Sequence, residues 1–365
     1  MKSAPRIILI TVLLIVGHLQ AQDEPGFTYE YGYTSDLMMV AGVDHGAHNL
    51  NYLDNVDLLF GFNTEGLGLW SGGTLSAYFL SNQGAALTEV VGDAQTTSNI
   101  EADGTQRLYE IWYNQSFLFN TIDVLVGVHD LNSEFYTNET SGLFTNSSFG
   151  IGADVAGTVP VSIFNVVAPA VRLKLRLTRR LWLLGAVYDG NPDNDHNTDG
   201  LHIKWDGEEG LFSVVEAQLD LTGADERPRI YRVAGWNHSA PGGVDSDPIS
   251  GFYFSLDQPL GKLNTFLRGG VATGEAEVPL SISFGGHTEN YLGLAVAPAL
   301  LRNAEDTDGD GEGDSDAWEV VIEATWAIEI NDMFSIQPDI QFVLNPSGAG
   351  GDAVVVYGVR TSIGF

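Results

Sequence analysis

The segment Ala353–Phe365, AVVVYGVRTSIGF, decides how the rest of the chain is read. Its odd positions, Ala353, Val355, Tyr357, Val359, Thr361, Ile363 and Phe365, are apolar or amphipathic. The even positions include Gly358, Arg360, Ser362 and Gly364, with Val354 and Val356 as exceptions. A period of two belongs to a strand with one face in an apolar medium and the other against water or polar groups. A strand of this length that ends on an aromatic residue fits the closing strand of an outer-membrane β-barrel. It also fits an edge strand of a soluble sandwich, so the remainder of the chain has to separate the two.

The first residues read as a signal peptide. Lys2 and Arg6 form the positive start, Ile7 to Val16 the apolar run, and Leu19-Gln20-Ala21 a cleavage site. The apolar run is too short to span a bilayer and nothing similar follows it, which excludes a helical membrane protein. Residues 1–21 are therefore expected as leader and residues 22–365 as one barrel domain. The absence of cysteine removes disulfides and thiolate metal sites from consideration. Loss of Lys2 and Arg6 with the leader takes the formal charge from −32 to −34. A chain this acidic would be repelled by a polyanion, so nucleic acid is not an expected partner. At a channel mouth the same charge favours neutral or cationic solutes.

Sixteen alternating segments can be drawn, beginning near Thr28, Leu53, Thr74, Thr105, Ile122, Val166, Leu181, Gly210, Pro228, Ser250, Leu263, Pro279, Asn290, Ala317, Phe334 and Ala353. Val56, Leu58, Phe60 and Phe62 share one face of the second segment, opposite Asp57. In the fifth, Ile122, Val124, Val126 and Val128 oppose Asp123 and His129. The connections alternate between long ones (41–52, 84–104, 132–162 and onward) and tight ones such as Asn120-Thr121 and Pro259-Leu260-Gly261. Barrels with both termini in the periplasm sort their connections this way, short turns inside and long loops outside, whereas a sandwich has no reason to. The expected fold is thus all-β: a transmembrane antiparallel β-barrel of about sixteen strands in the bacterial outer membrane. In that frame Ala353 lies near the outer surface, the odd face of the last strand meets lipid, and Arg360 points into the lumen or its wall. Phe365 would be the terminal aromatic residue read by barrel-assembly machinery.

Ordered motifs run along nearly the whole mature chain. They include Asn55-Val56-Asp57, Gly72-Gly73-Thr74-Leu75, Val91-Gly92-Asp93-Ala94-Gln95 and Ser98-Asn99-Ile100-Glu101-Ala102. Further on come Arg107-Leu108-Tyr109-Glu110-Ile111-Trp112-Tyr113, Ser133-Glu134-Phe135, Phe144–Gly150, Pro169–Leu173, Val187–Gly190, Gln337–Gln341 and Asn345-Pro346. In these the chain resembles the carbohydrate-selective porins of the OprB family. The resemblance implies a sixteen-stranded outer-membrane barrel that passes small sugars by passive diffusion. A general or cation-preferring porin is the alternative within the same fold.

A neutral sugar offers hydroxyls and apolar C–H faces, so paired donors and acceptors beside an aromatic surface suit it. Alternation over Thr105–Gln115 puts Gln106, Leu108, Glu110, Trp112 and Asn114 on the expected lumenal face. Arg107, Tyr109, Ile111 and Tyr113 fall on the lipid face, so Arg107 belongs at a rim or is re-aimed by a bulge. The resemblance to porins, whose loop after the fifth strand commonly folds inward, implies that the long connection Asn132–Phe164 is the constriction, with an ordinary extracellular loop as the alternative. That connection carries Glu134 and Phe149 among mixed aromatic and polar residues. The candidate pore-lining set is Arg107, Glu110, Trp112, His129, Glu134 and Phe149.

Asp306, Asp308, Asp310 and Asp314 place carboxylates at alternate positions of a glycine-rich loop, a candidate calcium site. The twelfth position of a true EF-hand loop would be Glu, and here it is Ala317. On the outer face, calcium could link this loop to lipopolysaccharide phosphates. No cofactor is required, and a homotrimer and a monomer are both open. An outer-membrane enzyme such as a lipase would need a Ser and a His close together, and no such pair stands out.

Overall fold

The structure, a computed structural model, describes residues 26–42, 49–192, 200, 209–305 and 315–364. In chain order its strands are β1 (Phe27–Ala41), β2 (Asn49–Asn63), β3 (Gly73–Gly84), β4 (Thr105–Phe117), β5 (Ile122–His129) and β6 (Ala168–Arg176). They continue with β7 (Leu181–Asp189), β8 (Leu211–Asp220), β9 (Ile230–His238), β10 (Ile249–Leu260), β11 (Leu263–Ala272) and β12 (Leu280–Thr288). The last are β13 (Leu292–Glu305), β14 (Ser315–Trp326), β15 (Ile328–Asn331), β16 (Phe334–Leu344) and β17 (Val354–Gly364). Each strand pairs antiparallel with its neighbours, and β17 pairs with β1, so the sheet closes on itself. Both β14 and β15 pair with β16, making one stave interrupted at Ala327. The barrel has sixteen staves. Closure gives each stave a pairing neighbour on both sides, which is what a strand needs in hydrocarbon.

The alternation of β17 is realised as the sequence implied. Tyr357, Val359 and Ile363 are exposed on the outside, while Val354, Val356 and Arg360 are buried inside. The same two-residue rhythm exposes Val126, Val215, Phe252 and Leu294 to the lipid side of other staves. Among the described residues no helix is long and apolar enough to cross a membrane. Connections after even-numbered staves are mostly tight, but residues 64–72 and 221–229 form longer turns than expected. In the first of these, Trp70 folds back so that its Nε1 donates to the Tyr113 hydroxyl at 2.9 Å.

Two connections on the opposite side enter the lumen. Loop 3 (residues 130–167) carries the short helix α2 (Ala153–Ala156) and crosses the barrel. Its Leu131, Phe135, Tyr136, Ile151, Val155 and Val159 pack against inward residues of β6–β11, among them Tyr188, Phe212, Trp236 and Tyr253. Buried side chains of this size contribute about 1.5–3 kcal/mol each, so this half of the lumen is a packed core. Loop 2 (residues 85–104), with α1 (Leu87–Val91), was expected to lie outside and instead also turns inward. Its Leu87, Val91 and Ile100 join Leu143, Phe144 and Phe149 of loop 3 against Met38, Val321, Val343 and Val356 of the wall.

Candidate functional site

Polar contacts hold the two inserted loops to the wall. The backbone N–H of Thr140 donates to Asp257 (2.8 Å), and those of Thr145 and Asn146 donate to Glu323 (2.7 and 3.0 Å). Arg268, fully buried, donates to the carbonyls of Tyr136, Ser148 and Gly150 at 3.2, 2.6 and 2.7 Å. Glu134 accepts two bonds from Arg172, at 2.6 and 2.9 Å. Burial pushes the Glu134 carboxyl up, but the charges of Arg172 and Lys174 outweigh it and hold the group below its ordinary range. Loop 2 is fixed by Ala94 N–H to Glu319 (2.9 Å) and by the Ser98 hydroxyl to Asp36 (2.7 Å). The loops also bond each other, through Asn99 N–H to the Thr145 carbonyl at 2.7 Å.

A cavity of about 290 Å³ lies under both loops and runs down to Asp332 and Met333, the start of β16 and the end of β17. One wall is aromatic. Tyr78 and Tyr109 meet edge to face with centroids 4.9 Å apart, and Phe164 of loop 3 lies 6.3 Å from Tyr109. Polar groups alternate with these rings. The Tyr78 hydroxyl donates to Asp57 (2.5 Å), Asn55 Nδ2 donates to Asp57 (2.6 Å), and the Tyr109 hydroxyl donates to Asp130 (2.7 Å). Burial pushes the Asp130 carboxyl up to about 6, with the Tyr109 hydrogen bond pulling the other way.

The position of Tyr109 corrects the sequence reading of β4. Tyr78 pairs with Glu110 but Phe79 pairs with Leu108, so Tyr109 is the extra residue of a β-bulge. Glu110 and Trp112 keep the lumenal side, opposite the inward Tyr78 and Ser76. Tyr109 turns inward rather than to lipid. Leu108 turns outward rather than to the lumen. Arg107 pairs with the buried Leu80 and so faces inward, with its Nε 3.2 Å from Thr105 Oγ1. The bulge re-aims it, close to the start of β4.

The other nominated residues are brought to the seam between wall and loop 3. Glu110 accepts the Asp130 N–H at 2.7 Å, and His129 bonds the Tyr188 hydroxyl (3.0 Å) and Ser133 (3.2 Å). Trp112 meets the His129 ring edge to face at 6.2 Å, in space left by Gly127 across the strand. A Cβ on Gly127 would come within 2.7 Å of Trp112 Cβ. Phe149 packs 5.0 Å from Phe144 and also touches the cavity. Asp306, Asp308, Asp310 and Asp314 lie outside the described residues, as does Phe365. Among the described residues no group of three or more His, Asp or Glu is placed to hold a metal.

A closed sixteen-stave barrel with an inward loop is a channel architecture, and comparison with known proteins gives the channel a family. The family model described as carbohydrate-selective porin, OprB family, matches residues 47–256 and 246–365. The chain belongs to the OprB family of carbohydrate-selective porins. Its fold is similar to that of the high-pH structure of Pseudomonas putida OprB, with a TM-score of 0.83 and 17% identity over 93% of this chain and 94% of that one. The low-pH structure of the same protein matches with a TM-score of 0.59, 13% identity and 93% of each chain. Salmonella typhi OmpF, in complex with daunomycin, matches with a TM-score of 0.56 and 9% identity over 93% and 97% of the two chains. No curated protein sequence matches this one. As a member of this porin family the protein is an outer-membrane channel through which sugars diffuse passively into the periplasm.

Proposed function

We propose that the sugar passes between the inserted loops and the β1–β4 wall, then over the aromatic wall of the cavity. The observation that carries this reading is the alternation of rings and hydrogen-bonding groups there: Tyr78, Tyr109 and Phe164 offer faces and edges for C–H contact, while Asn55, Asp57 and Asp130 accept hydroxyl protons. Phe149 touches the sugar from loop 3, and Arg107 meets it above the bulge. Glu110, Trp112, His129 and Glu134 act at one remove, as positioning residues that seat loop 3.

The remaining assignments rest on sequence. Residues 1–21 are a leader and residues 22–365 the mature barrel; Phe365 is read by assembly machinery. The barrel catalyses nothing, stands among lipopolysaccharide as a monomer or homotrimer, and Asp306–Asp314 takes calcium. Glucose added to single channels in a planar bilayer tests the pathway. Brief current blocks whose frequency rises with glucose are expected, and Tyr109→Ala shortens them; unblocked current at saturating glucose would refute the pathway.

A further inference from the structure

The cavity carries an excess of carboxylates. Asp57 and Asp130 stand on its aromatic side, and Glu329 and Asp332 at its periplasmic end. Its lining includes one cation, Arg360, and that guanidinium is bound by Asp36 through bonds of 2.7 and 2.8 Å. Asn55, whose Oδ1 is buried with no hydrogen-bond partner, adds a further acceptor to the same lining.

Among the described residues the other inward cations lie outside this lining. Arg172 is paired with Glu134, and Arg232 lies 3.6–3.8 Å from Asp257, Glu216 and Glu139. Arg268 is held by loop 3 carbonyls. Lys174 stands opposite Asp123 across the β5–β6 pair, and Arg176 donates to the Phe119 carbonyl at 2.8 Å. Arg107 sits above the bulge, outside the cavity lining. Once past Arg107, a solute in the cavity therefore meets uncompensated negative charge on the aromatic side and at the periplasmic end. The Debye length at physiological salt is about 8 Å, comparable with a narrow lumen, so these charges are not screened from it. Low-dielectric walls focus the field further.

Resting on the sugar pathway proposed above, we infer that the channel discriminates sugars by charge, favouring those with an ammonium group, such as 2-amino-2-deoxyhexoses, over hexuronates. Neutral hexoses fall between. The four carboxylates Asp57, Asp130, Glu329 and Asp332 set the preference. An ammonium replaces one hydroxyl as a charge-assisted donor to them, whereas a uronate carboxylate adds an acceptor where acceptors are already in excess.

Zero-current potentials across a zwitterionic planar bilayer test the inference, measured under tenfold gradients of glucosamine hydrochloride and, separately, of sodium glucuronate. Glucosaminium is expected to be more permeant than the smaller chloride, and sodium more permeant than glucuronate by at least about tenfold. In Asp57→Asn the glucosaminium preference should fall by several-fold. Glu329→Gln with Asp332→Asn alters exposed side chains at the mouth, leaves the barrel intact and should lower it in the same direction. A parent ratio of glucosaminium to chloride below one, or a ratio unchanged in both variants, overturns the inference. Glucose entry into proteoliposomes is read in parallel. Glucose entry with a ratio below one defeats only the charge preference, and a ratio above one without glucose entry defeats only the sugar pathway.

Discussion

Arg360 on the last strand and Asp36 on the first face each other across the seam that closes the barrel, joined by two bonds of 2.7 and 2.8 Å. Asp36 also accepts the Ser98 hydroxyl, so one carboxylate ties the seam to loop 2. Removing one member of a buried pair strands the other charge, which costs about 3–5 kcal/mol. Asp36→Ala should therefore lower the temperature at which the folded band disappears in heat-modifiability gels. The double variant Asp36→Ala with Arg360→Met should recover much of the loss. Equal stability of the single and double variants would show that the pair is not what matters at the seam.

The Glu134–Arg172 clamp holds the first turn of loop 3 to β6. Glu134→Gln weakens it and leaves Arg172 underpaired, a loss of about 1–3 kcal/mol at that attachment. Loop 3 should then sit less firmly across the lumen. The expected result is higher single-channel conductance and a several-fold rise in disaccharide relative to monosaccharide entry. An unchanged ratio would place the constriction elsewhere.

The loop carboxyls also give the channel a pH dependence of known sign. Burial, and then the charge of Glu319, push Asp93 of loop 2 up to about 7, and burial pushes Asp154 of loop 3 up to about 6. A released loop would ionise these groups near 3.8. The docked state therefore binds more protons between about pH 4 and 7, and docking weakens as pH rises through that window. Current noise from loop motion should be low at pH 5 and greater at pH 8. Asp93→Asn should flatten part of this change, and noise that grows toward acid would contradict the assignment.

Tyr109 and Trp112 separate contact from support. Loss of Tyr109 removes a ring from the cavity wall, about 0.5–1.5 kcal/mol of contact. Tyr109→Ala should weaken glucose block of the current several-fold, while Tyr109→Phe, which keeps the ring, should weaken it less. Trp112 is buried against His129, so Trp112→Ala should act mainly on loop 3 and raise current noise. Equal effects of the two alanine variants on glucose block would erase the distinction.

Much of the barrel was legible because hydrocarbon outside and polar groups inside impose a period of two on every stave. All sixteen expected segments begin within four residues of an observed strand, from Thr28 against Phe27 to Ala353 against Val354. The inward course of loop 3 was legible from the resemblance to porins, in which the long loop after the fifth strand commonly folds inward; its mixture of rings and polar groups agreed with that. The bulge at Tyr109 was not, because an extra residue is set by the register against Tyr78 and Phe79 and leaves no mark on β4 alone. The neighbouring pair Tyr109 and Glu110, both suited to a polar lumen, is the signal that could have suggested it. Loop 2 was missed because Leu87, Val91 and Ile100 are too sparse to read as a buried face before loop 3 supplies their partners. Glu134 and His129 were nominated for their chemistry, yet loop 3 brings them to Arg172 and Tyr188, contacts that no local pattern encodes.

Proteoliposome swelling bears most directly on the central claim, that sugars follow the ring-lined cavity beneath loops 2 and 3. Rates would be compared for a pentose, a hexose, a disaccharide and a non-sugar polar solute of hexose size, in the parent and in Tyr109→Ala. The account predicts that the hexose outpaces the size-matched non-sugar in the parent and that the advantage shrinks in the variant. Rates ordered by solute size alone, and identical in the two proteins, would contradict it.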